Sequence, residues 1–304
     1  MNRRTFIYNL ALGLAAGWAA GPLFWPRRLQ ASTPPLSLAL LADAHLHDGD
    51  PSRPEARALA RAVAEIKALP ATPRLVLFAG DLAHNGDPDA LALGAEVLSD
   101  LPMPVLAVRG EGDGRAEKTG AGGKFLRQGR FVYHCEGISL LGVDTVWQPG
   151  APEGPAFVLG EGQRRWLDHV LTGLNPDKPL IILSHAPLSP VFRPWGQWTA
   201  DSGPLLRRLS RFRKVFCLHG HVHHSASTVE FLEIENVGLY QKPTTDNRKP
   251  TTHLSLPATS WPLPQALAGT PRKLRPGLGP RGCGWALLDP RGPSPRLSRV
   301  VWQA

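Results

Sequence analysis

The sequence predicts an α/β fold in which the strands of a sheet alternate with covering helices. Three observations predict it. Short, continuous apolar runs, such as residues 36–42 and 75–79, have the pattern of strands buried on both faces. Segments with apolar residues at helical intervals lie between these runs. Each run ends at a polar turn rather than in a hairpin, as in a sheet covered by helices on both faces.

The predicted elements follow in chain order. A first helix is predicted after residues 36–42, with capping-box spacing from Ser52 to Glu55. A second helix is predicted to start at Asp87, because Pro88 suits the first turn. Further strands are predicted at residues 75–79, 105–108, 138–143, 180–183 and 215–218, and further helices at residues 163–171 and 205–209. From Pro243 onward, frequent Pro, Gly, Thr and Arg predict loops and a few antiparallel strands.

Length and charge limit the possible functions. The 304 residues, 42% of them hydrophobic, are enough to bury a full core. Four of the nine net positive charges are arginines of residues 1–31, which leaves +5 for residues 32–304. This modest surplus suits an anionic substrate. Nucleic acid is not an expected partner, because the sequence contains no polybasic run interleaved with aromatic residues.

The three cysteines do not indicate a disulfide framework or a thiolate zinc site, because they are odd in number and form no Cys-x-x-Cys pair. Cys217 lies in an apolar run and is predicted to be a small core residue. A disulfide between Cys135 and Cys283 is left open.

The N-terminal segment resembles a twin-arginine export signal. Arg3 and Arg4 precede an uncharged stretch over residues 6–25, and a small-residue site ends at Ala31. We therefore expect a signal segment at residues 1–31, the twin-arginine export machinery as a partner and a periplasmic location. The alternative is a membrane anchor through residues 6–25, which are long enough to cross a hydrocarbon core of about 30 Å.

Five polar segments each follow a predicted strand. In an open α/β sheet, ligands bind at the carboxyl ends of the strands, so we expect these segments to form one site. In extended backbone, residues two apart point to the same side, so Asp43 and His45 could share one ion. The five segments are Asp43-Ala44-His45, Gly80-Asp81, Gly110-Glu111-Gly112-Asp113, Ser184-His185 and Gly220-His221-Val222-His223.

Each segment alone fits a buried core histidine or a helix-capping aspartate equally well. Together they offer nitrogen and oxygen donors without thiolate, which suits manganese, iron or zinc. Two close ions need about seven ligands with one bridging carboxylate. The five segments therefore predict a site for two divalent metal ions.

The order and spacing of these segments, over roughly Leu38 to His224, resemble the calcineurin-like metallophosphoesterase family. The motifs of that family are D-x-H, G-D, G-N-H-D/E, H and G-H-x-H. The resemblance implies a four-layer sandwich of two mixed β-sheets flanked by helices, formed as one domain by residues 32–304. It also implies the metal ligands: Asp43, His45 and His223 for the first ion, His185 and His221 for the second, and Asp81 bridging both.

The function implied by the resemblance is binuclear metal-dependent hydrolysis of a phosphate ester by a hydroxide that bridges the ions. A phosphodiester is slightly favoured over a phosphomonoester. The expected partner is the substrate, and no stable protein partner is implied. Two alternatives are a degenerate, non-catalytic member that binds metal or phosphate, and a nuclease of the same family, whose binding would fall steeply with salt.

The third motif departs from the family pattern at two positions. Glu111 stands where the family has Asn, and Gly112 stands where it has His. Glu111 could replace Asn as an oxygen ligand, but its charge would make the second ion less electrophilic and would repel an anionic substrate. In the family, the missing His is thought to stabilise the phosphoryl oxygens or to protonate the leaving alcohol.

Three interpretations of this departure stay open: an enzyme that works without the His, a substitute group, or a degenerate member. By proximity in the sequence, the substitute groups are His47, His84 and Asp113. His219 and His253 are expected to have a core or solvated role. Thr259 and Trp261 lie where relatives often return to line the site, although packing is the favoured role for both.

Overall fold

The computed structural model describes residues 36–114, 129–148, 156–190, 196–223, 251–260, 283–291 and 296–302. One sheet contains β1 (Leu38–Leu41), β2 (Leu75–Phe78), β3 (Val105–Ala107), β11 (Gly284–Asp289) and β12 (Arg296–Val301). A second sheet contains β4 (Phe131–Cys135), β5 (Ile138–Gly142), β8 (Leu180–Ser184), β9 (Val215–His219) and β10 (Thr252–Ser255). A small third sheet pairs β6 (Val146–Trp147) with β7 (Phe157–Val158).

The helices are α1 (Pro54–Lys67), α2 (Pro88–Ser99), the single turn α3 (Glu111–Gly114), α4 (Glu161–Gly173) and α5 (Gly203–Leu209). A 3₁₀ turn covers His84–Gly86. The strand order is β12-β11-β1-β2-β3 in the first sheet and β10-β9-β8-β5-β4 in the second. The strands β1, β2 and β3 are parallel to one another and end at one edge of the first sheet, and the parallel strands β8 and β9 end together in the second.

The two large sheets pack face to face between layers of helices. Alternate residues of β1 serve two different cores: Leu38 and Leu40 face the second sheet, whereas Ala39 and Leu41 face α1 and α2. Leu141 and other outward residues of the second sheet pack under α4 and α5 in a third core. The predicted four-layer sandwich is confirmed.

The apolar runs predicted to be strands are strands, and every residue of β1, β2, β8 and β9 is buried, as predicted. The interpretation of one sheet with helices on both faces is wrong, because the inner face of each sheet is covered by the other sheet. The runs at residues 36–42, 75–79 and 105–108 end in polar turns, as expected, and a hairpin is formed between β4, which the sequence did not predict, and β5. These two strands are joined by a tight turn in which Glu136 and Gly137 have φ of 46° and 82°.

The helix starts were predicted with mixed success. Asp87 caps α2, because its side chain accepts hydrogen bonds from the backbone N–H groups of Asp89 and Ala90. The capping box predicted from Ser52 to Glu55 is wrong, since Arg53 is the N-cap of α1 and makes no side-chain cap hydrogen bond. After Pro243, β11 and β12 are antiparallel as expected, whereas β10 pairs in parallel with β9.

All three cysteines are buried and free, so Cys135 and Cys283 form no disulfide. Cys217 is a core residue of β9, as predicted. Residues 1–31 lie outside the described residues, and the export signal and the extent of the domain stay predictions. Within the described part of the chain, no helix has the length and apolar character needed to cross a membrane.

The C-terminal strands are attached to α1 through one carboxylate. Glu65 accepts hydrogen bonds from the indole N–H groups of Trp285, at 2.8 Å, and Trp302, at 2.9 Å. Arg61 donates to the same carboxylate and lies over the Trp302 ring. Both indoles are almost fully buried, so without Glu65 their N–H groups would lose this acceptor inside the protein.

We expect Glu65→Ala to lower the free energy of unfolding by about 2–4 kcal/mol, because each buried indole N–H then loses its acceptor. Glu96→Ala, on the exposed face of α2, is the matched control and should change stability by less than about 0.5 kcal/mol. Urea denaturation followed by circular dichroism measures both. Equal stability of the two variants would contradict the role assigned to Glu65.

Candidate metal centre

The register of the strands brings the five polar segments together. β1 pairs with β2 so that Asp43 lies beside Gly80, and the Asp43 N–H donates to the Gly80 carbonyl at 2.9 Å. In the second sheet, Ser184 is paired with His219, which places His185 next to the segment that starts at Gly220. The backbone N–H of His221 then donates to the Asp43 carboxylate at 3.1 Å, joining the ends of the two sheets.

A first group of possible metal ligands contains Asp43, His45 and His223, all buried. The Nε2 atoms of His45 and His223 are 3.0 Å apart, and the His223 Nε2 is 3.3 Å from Asp43 Oδ1. Two imidazole nitrogens that bind one ion tetrahedrally at 2.0–2.1 Å lie about 3.3 Å apart. The donor atoms of this group therefore fit a single cation.

A second group contains Glu111, His185 and His221. The two Glu111 oxygens face different imidazoles: Oε2 is 2.6 Å from His185 Nε2, and Oε1 is 3.2 Å from His221 Nδ1. Glu111 thus occupies the position expected of an oxygen donor, although it is a charged carboxylate. Two imidazoles and one carboxylate are a donor set that divalent transition metals accept.

Asp81 lies between the two groups. Its Oδ2 is 3.6 Å from His45 Nε2 and 3.7 Å from His185 Nε2. Its Oδ1 accepts a hydrogen bond from the Gly112 N–H at 2.8 Å. The structure thus brings together all seven residues that the sequence singled out as ligands. Their role as ligands stays a prediction.

An extended backbone was assumed for Asp43 and His45 in the sequence analysis. This assumption is wrong, because both residues have positive φ. Seven non-glycine residues in the described part of the chain have positive φ, and five of them are candidate ligands. The five are Asp43 (54°), His45 (45°), Asp81 (54°), His221 (63°) and His223 (51°). Such left-handed residues turn the chain sharply and are concentrated at functional sites. The side chains of Asp43 and His45 therefore converge because of these turns, and not because residues two apart in a strand point to the same side.

Two imidazoles are held by partners outside the ligand groups. The His185 Nδ1 donates to the Ala79 carbonyl at 2.7 Å, which leaves its Nε2 facing Glu111 and Asp81. The His221 Nε2 donates to Gln197 Oε1 at 2.8 Å, which leaves its Nδ1 facing Glu111. Such outer hydrogen bonds fix the tautomer of a ligand. Gln197 lies between the fourth and fifth motifs, and no sequence pattern indicates its role.

Burial and neighbouring charges raise the pKa of one candidate carboxylate ligand and lower the pKa of the other two. Burial raises the pKa of Asp81 well above its usual range, and the Glu111 carboxylate raises it further. Burial also acts to raise the pKa of Glu111, but His221 and His185 outweigh it and hold that pKa well below its usual range. At Asp43, the effect of burial is likewise outweighed by the imidazoles, chiefly His223, which lower the pKa to about 2.

The pKa values of the imidazoles also depend on the balance between burial and neighbouring charges. Burial and then repulsion by His223 lower the pKa of His45 to about 3, so this ring is neutral and can act as a metal ligand. Burial acts to lower the pKa of His185, but Asp81 and Glu111 hold it well above its usual range. Buried carboxylates thus draw positive charge to this site, and the same charge can be supplied by divalent cations.

The third motif is a tight turn in which glycine is required at position 112. A Cβ atom there would lie 2.4 Å from the Ala83 carbonyl oxygen and 3.2 Å from Asp81 Oδ1. A histidine at this position therefore needs a displacement of the backbone that follows Asp81. Asp113 is a poor substitute acid, because its two oxygens accept hydrogen bonds from the N–H groups of Ala83 and Gly110.

The other candidate acids lie at the rim of the first group. The rings of His47 and His84 are stacked with centroids 4.6 Å apart, and the His84 centroid is 5.8 Å from that of His45. His47 is exposed and hydrogen-bonds Glu55, whereas His84 is half-buried. The His84 ring thus lies beside His45, a candidate ligand of the first group.

The segment Ser255–Ser260 returns to the first motif, as expected. The Thr259 N–H donates to the Ala42 carbonyl, and Thr259 is fully buried, in agreement with a packing role. Trp261 lies outside the described residues. His219 is buried in β9 and His253 is partly buried in β10, which agrees with a core role for His219.

Comparisons with known proteins agree with this fold. A dimetal phosphatase from Danio rerio superposes with a TM-score of 0.61 and 14% identity, covering 87% of this chain and 96% of that one. The purple acid phosphatase PPD1 from yellow lupin (Lupinus luteus) seeds superposes with a TM-score of 0.50 and 12% identity. This superposition covers 83% of this chain and 49% of the lupin protein. Both likenesses concern the fold.

A protein of Synechococcus sp. named "Probable cyclic nucleotide phosphodiesterase" is 28% identical over 156 residues. These residues are 51% of this chain and 59% of that protein, so the match spans less than two thirds of the relative. Residues 36–225 match the family described as calcineurin-like phosphoesterase.

The two stacked mixed sheets define a protein with the metallophosphatase fold. The chain belongs to the calcineurin-like phosphoesterase family, whose members are metal-dependent hydrolases, and the family resemblance of its motifs is confirmed.

We expect Gly112→Ala to lower the free energy of unfolding by about 1–3 kcal/mol, since the added Cβ overlaps the Ala83 carbonyl oxygen. Gly114→Ala in the same turn is the control, because a Cβ there meets no atom within 4 Å. Thermal and urea denaturation compare the two variants. Two equally stable variants would show that the Glu111–Gly114 turn has room for a side chain at position 112.

We also expect Gln197→Leu to weaken metal binding at the second group by about 10–100-fold, because His221 loses the acceptor that fixes its tautomer. Gln148→Leu, at an exposed position after β6, should leave the affinity unchanged. Isothermal titration with Mn²⁺ resolves the weaker site. An unaltered second-site affinity in Gln197→Leu would remove Gln197 from the metal centre.

Proposed function

We propose that this protein is a binuclear metal-dependent phosphodiesterase. The observation that carries the proposal is the position of Asp81, whose Oδ2 is nearly equidistant from one imidazole of each ligand group. A carboxylate between two donor groups is the arrangement that two neighbouring ions require. Membership of the calcineurin-like phosphoesterase family supports the same function.

Asp43, His45 and His223 would hold one ion, and Glu111, His185 and His221 the other, with Asp81 shared. Two ions bound there would supply Lewis acidity, which lowers the pKa of water and neutralises charge on the phosphoryl group. The chain itself keeps these donors in place: the Ala79 carbonyl and Gln197 orient two imidazoles, and the Gly112 N–H orients Asp81. Manganese, iron and zinc all suit this donor set.

One feature of the third motif favours a diester over a monoester, and a second favours an ester with a good leaving group. Glu111 adds one negative charge to the ligand set where the family has a neutral Asn, and this charge repels a dianionic monoester more strongly than a monoanionic diester. Gly112 has no side chain to donate a proton, so an ester with a good leaving group is hydrolysed more readily. The name of the Synechococcus relative points to the same class of substrate.

The test is elemental analysis of the purified protein together with hydrolysis of bis-p-nitrophenyl and p-nitrophenyl phosphate in added Mn²⁺. We expect about two ions per chain and preferential hydrolysis of the diester. Asp81→Asn should remove most of the bound metal and lower kcat/KM at least about 100-fold, because both ions lose a shared anionic ligand. Asp177→Asn, in an exposed turn, is the control.

Full metal content in Asp81→Asn would overturn the site assignment. Two ions in the wild-type protein without turnover of either ester would instead favour the non-catalytic alternative. A steep fall of substrate binding with salt would favour a nuclease, since that slope counts neutralised phosphates.

A further inference from the structure

The segment of residues 256–260 connects the carboxyl ends of two strands that belong to different sheets. It follows β10, which runs parallel to β9. The Leu256 N–H donates to the carbonyl of His219, the last residue of β9, at 2.9 Å. Three residues further on, the Thr259 N–H donates to the carbonyl of Ala42, just after β1, at 2.8 Å. The segment thus joins the two strands whose following residues supply the first group of possible metal ligands.

Ser260, at the end of this segment, binds the turn of the first motif through two hydrogen bonds. Its backbone N–H donates to the Asp43 carbonyl at 3.3 Å, and its Oγ donates to the Ala44 carbonyl. These carbonyls belong to the two peptide groups between Asp43 and His45, which are both candidate ligands of the first group. The half-buried Ser260 therefore contacts the backbone that carries both ligand side chains.

The turn of the first motif needs such contacts to keep its conformation. Asp43 and His45 have φ of 54° and 45°, and left-handed non-glycine residues persist only where their surroundings hold them. The N–H groups of these two residues donate to the carbonyls of Gly80 and Asp81, each at 2.9 Å. The second motif thus binds the N–H groups of the turn, whereas Ser260 binds its carbonyl groups.

We propose that Ser260 is a positioning residue for the first ligand group, because its hydroxyl fixes the turn from which Asp43 and His45 would reach a shared cation. The proposal rests on the metal centre of the proposed function. Groups that orient metal ligands from outside commonly change metal affinity about 10–100-fold when they are lost. The second ligand group contains no residue of this turn, so loss of the hydroxyl should affect the two groups unequally.

Ser210 provides the matched control. Its Oγ donates to the Arg207 carbonyl at 2.7 Å in the turn that ends α5, and the residue is half-buried like Ser260. Ser210→Ala therefore removes the same kind of hydrogen bond from a turn that carries no candidate ligand. Ser260→Thr keeps a hydroxyl at position 260 and tests for rescue.

The test is isothermal titration of the full-length, metal-free protein with Mn²⁺. His45→Ala identifies the affinity that belongs to the first group, because this variant lacks a donor of that group. We expect Ser260→Ala to weaken this affinity about tenfold and to leave the second affinity unchanged. Ser210→Ala and Ser260→Thr should retain both affinities.

Hydrogen exchange of the metal-free protein provides a second readout that does not depend on bound metal. Mass spectrometry measures the exchange of peptides that contain residues 43–46. We expect faster exchange in Ser260→Ala than in the wild-type protein and in Ser210→Ala, because the N–H groups of the turn are then held less firmly.

Equal weakening of both Mn²⁺ affinities, two unchanged affinities, or unaltered exchange of residues 43–46 in Ser260→Ala would overturn the proposal. A wild-type protein that binds no Mn²⁺ contradicts the proposed function, and the exchange comparison then decides whether Ser260 holds the turn. A wild-type protein that binds two ions but hydrolyses no ester contradicts only the proposed phosphodiesterase activity.

Discussion

The Asp81 carboxylate is buried where four of the five motif segments meet, and the arrangement of the site depends on it. Its backbone carbonyl accepts the His45 N–H at 2.9 Å, its Oδ1 accepts the Gly112 N–H, and its Oδ2 lies between His45 and His185. A buried carboxylate without compensating charge is costly, so this position strongly favours bound cations. One side chain thereby couples the ends of both sheets to the chemistry of the site.

The ligand segments combine stable strands with strained turns. β1, β2, β8 and β9 are fully buried and provide fixed points from which each segment leaves the sheet. The turns themselves place Asp and His residues in left-handed backbone, which costs of order 1–3 kcal/mol each and persists only when the surroundings impose it. The hydrogen bonds that join the Asp43 and Gly80 segments are part of what imposes it.

The two residues of the third motif that depart from the family pattern, Glu111 and Gly112, are compatible with the atoms around them. Glu111 reaches two imidazoles of the second group, and Gly112 is enclosed by the Ala83 carbonyl and Asp81. A family-like His at position 112 is therefore incompatible with this turn as it stands. The consequence for chemistry is a more negative set of candidate ligands without a side-chain proton donor at position 112, which is why the substrate proposal favours a monoanionic ester with a good leaving group.

The sequence by itself determined the buried strands, the capped start of α2 and, through motif order, the family and the seven residues that gather at the strand ends. These features follow from local apolar patterns and from residue types, both of which can be read directly from the sequence. Short or partly exposed strands such as β6, β7 and β10 have no such pattern and were missed.

Only the tertiary structure decided that a second sheet, rather than helices, covers the inner face of each sheet, because burial looks the same whatever provides the cover. It also decided the left-handed turns at Asp43 and His45, since long-range backbone hydrogen bonds set them. Gln197 and Phe157 are brought to His221 by β7 and the loop before α5, across distances along the chain that local patterns do not encode.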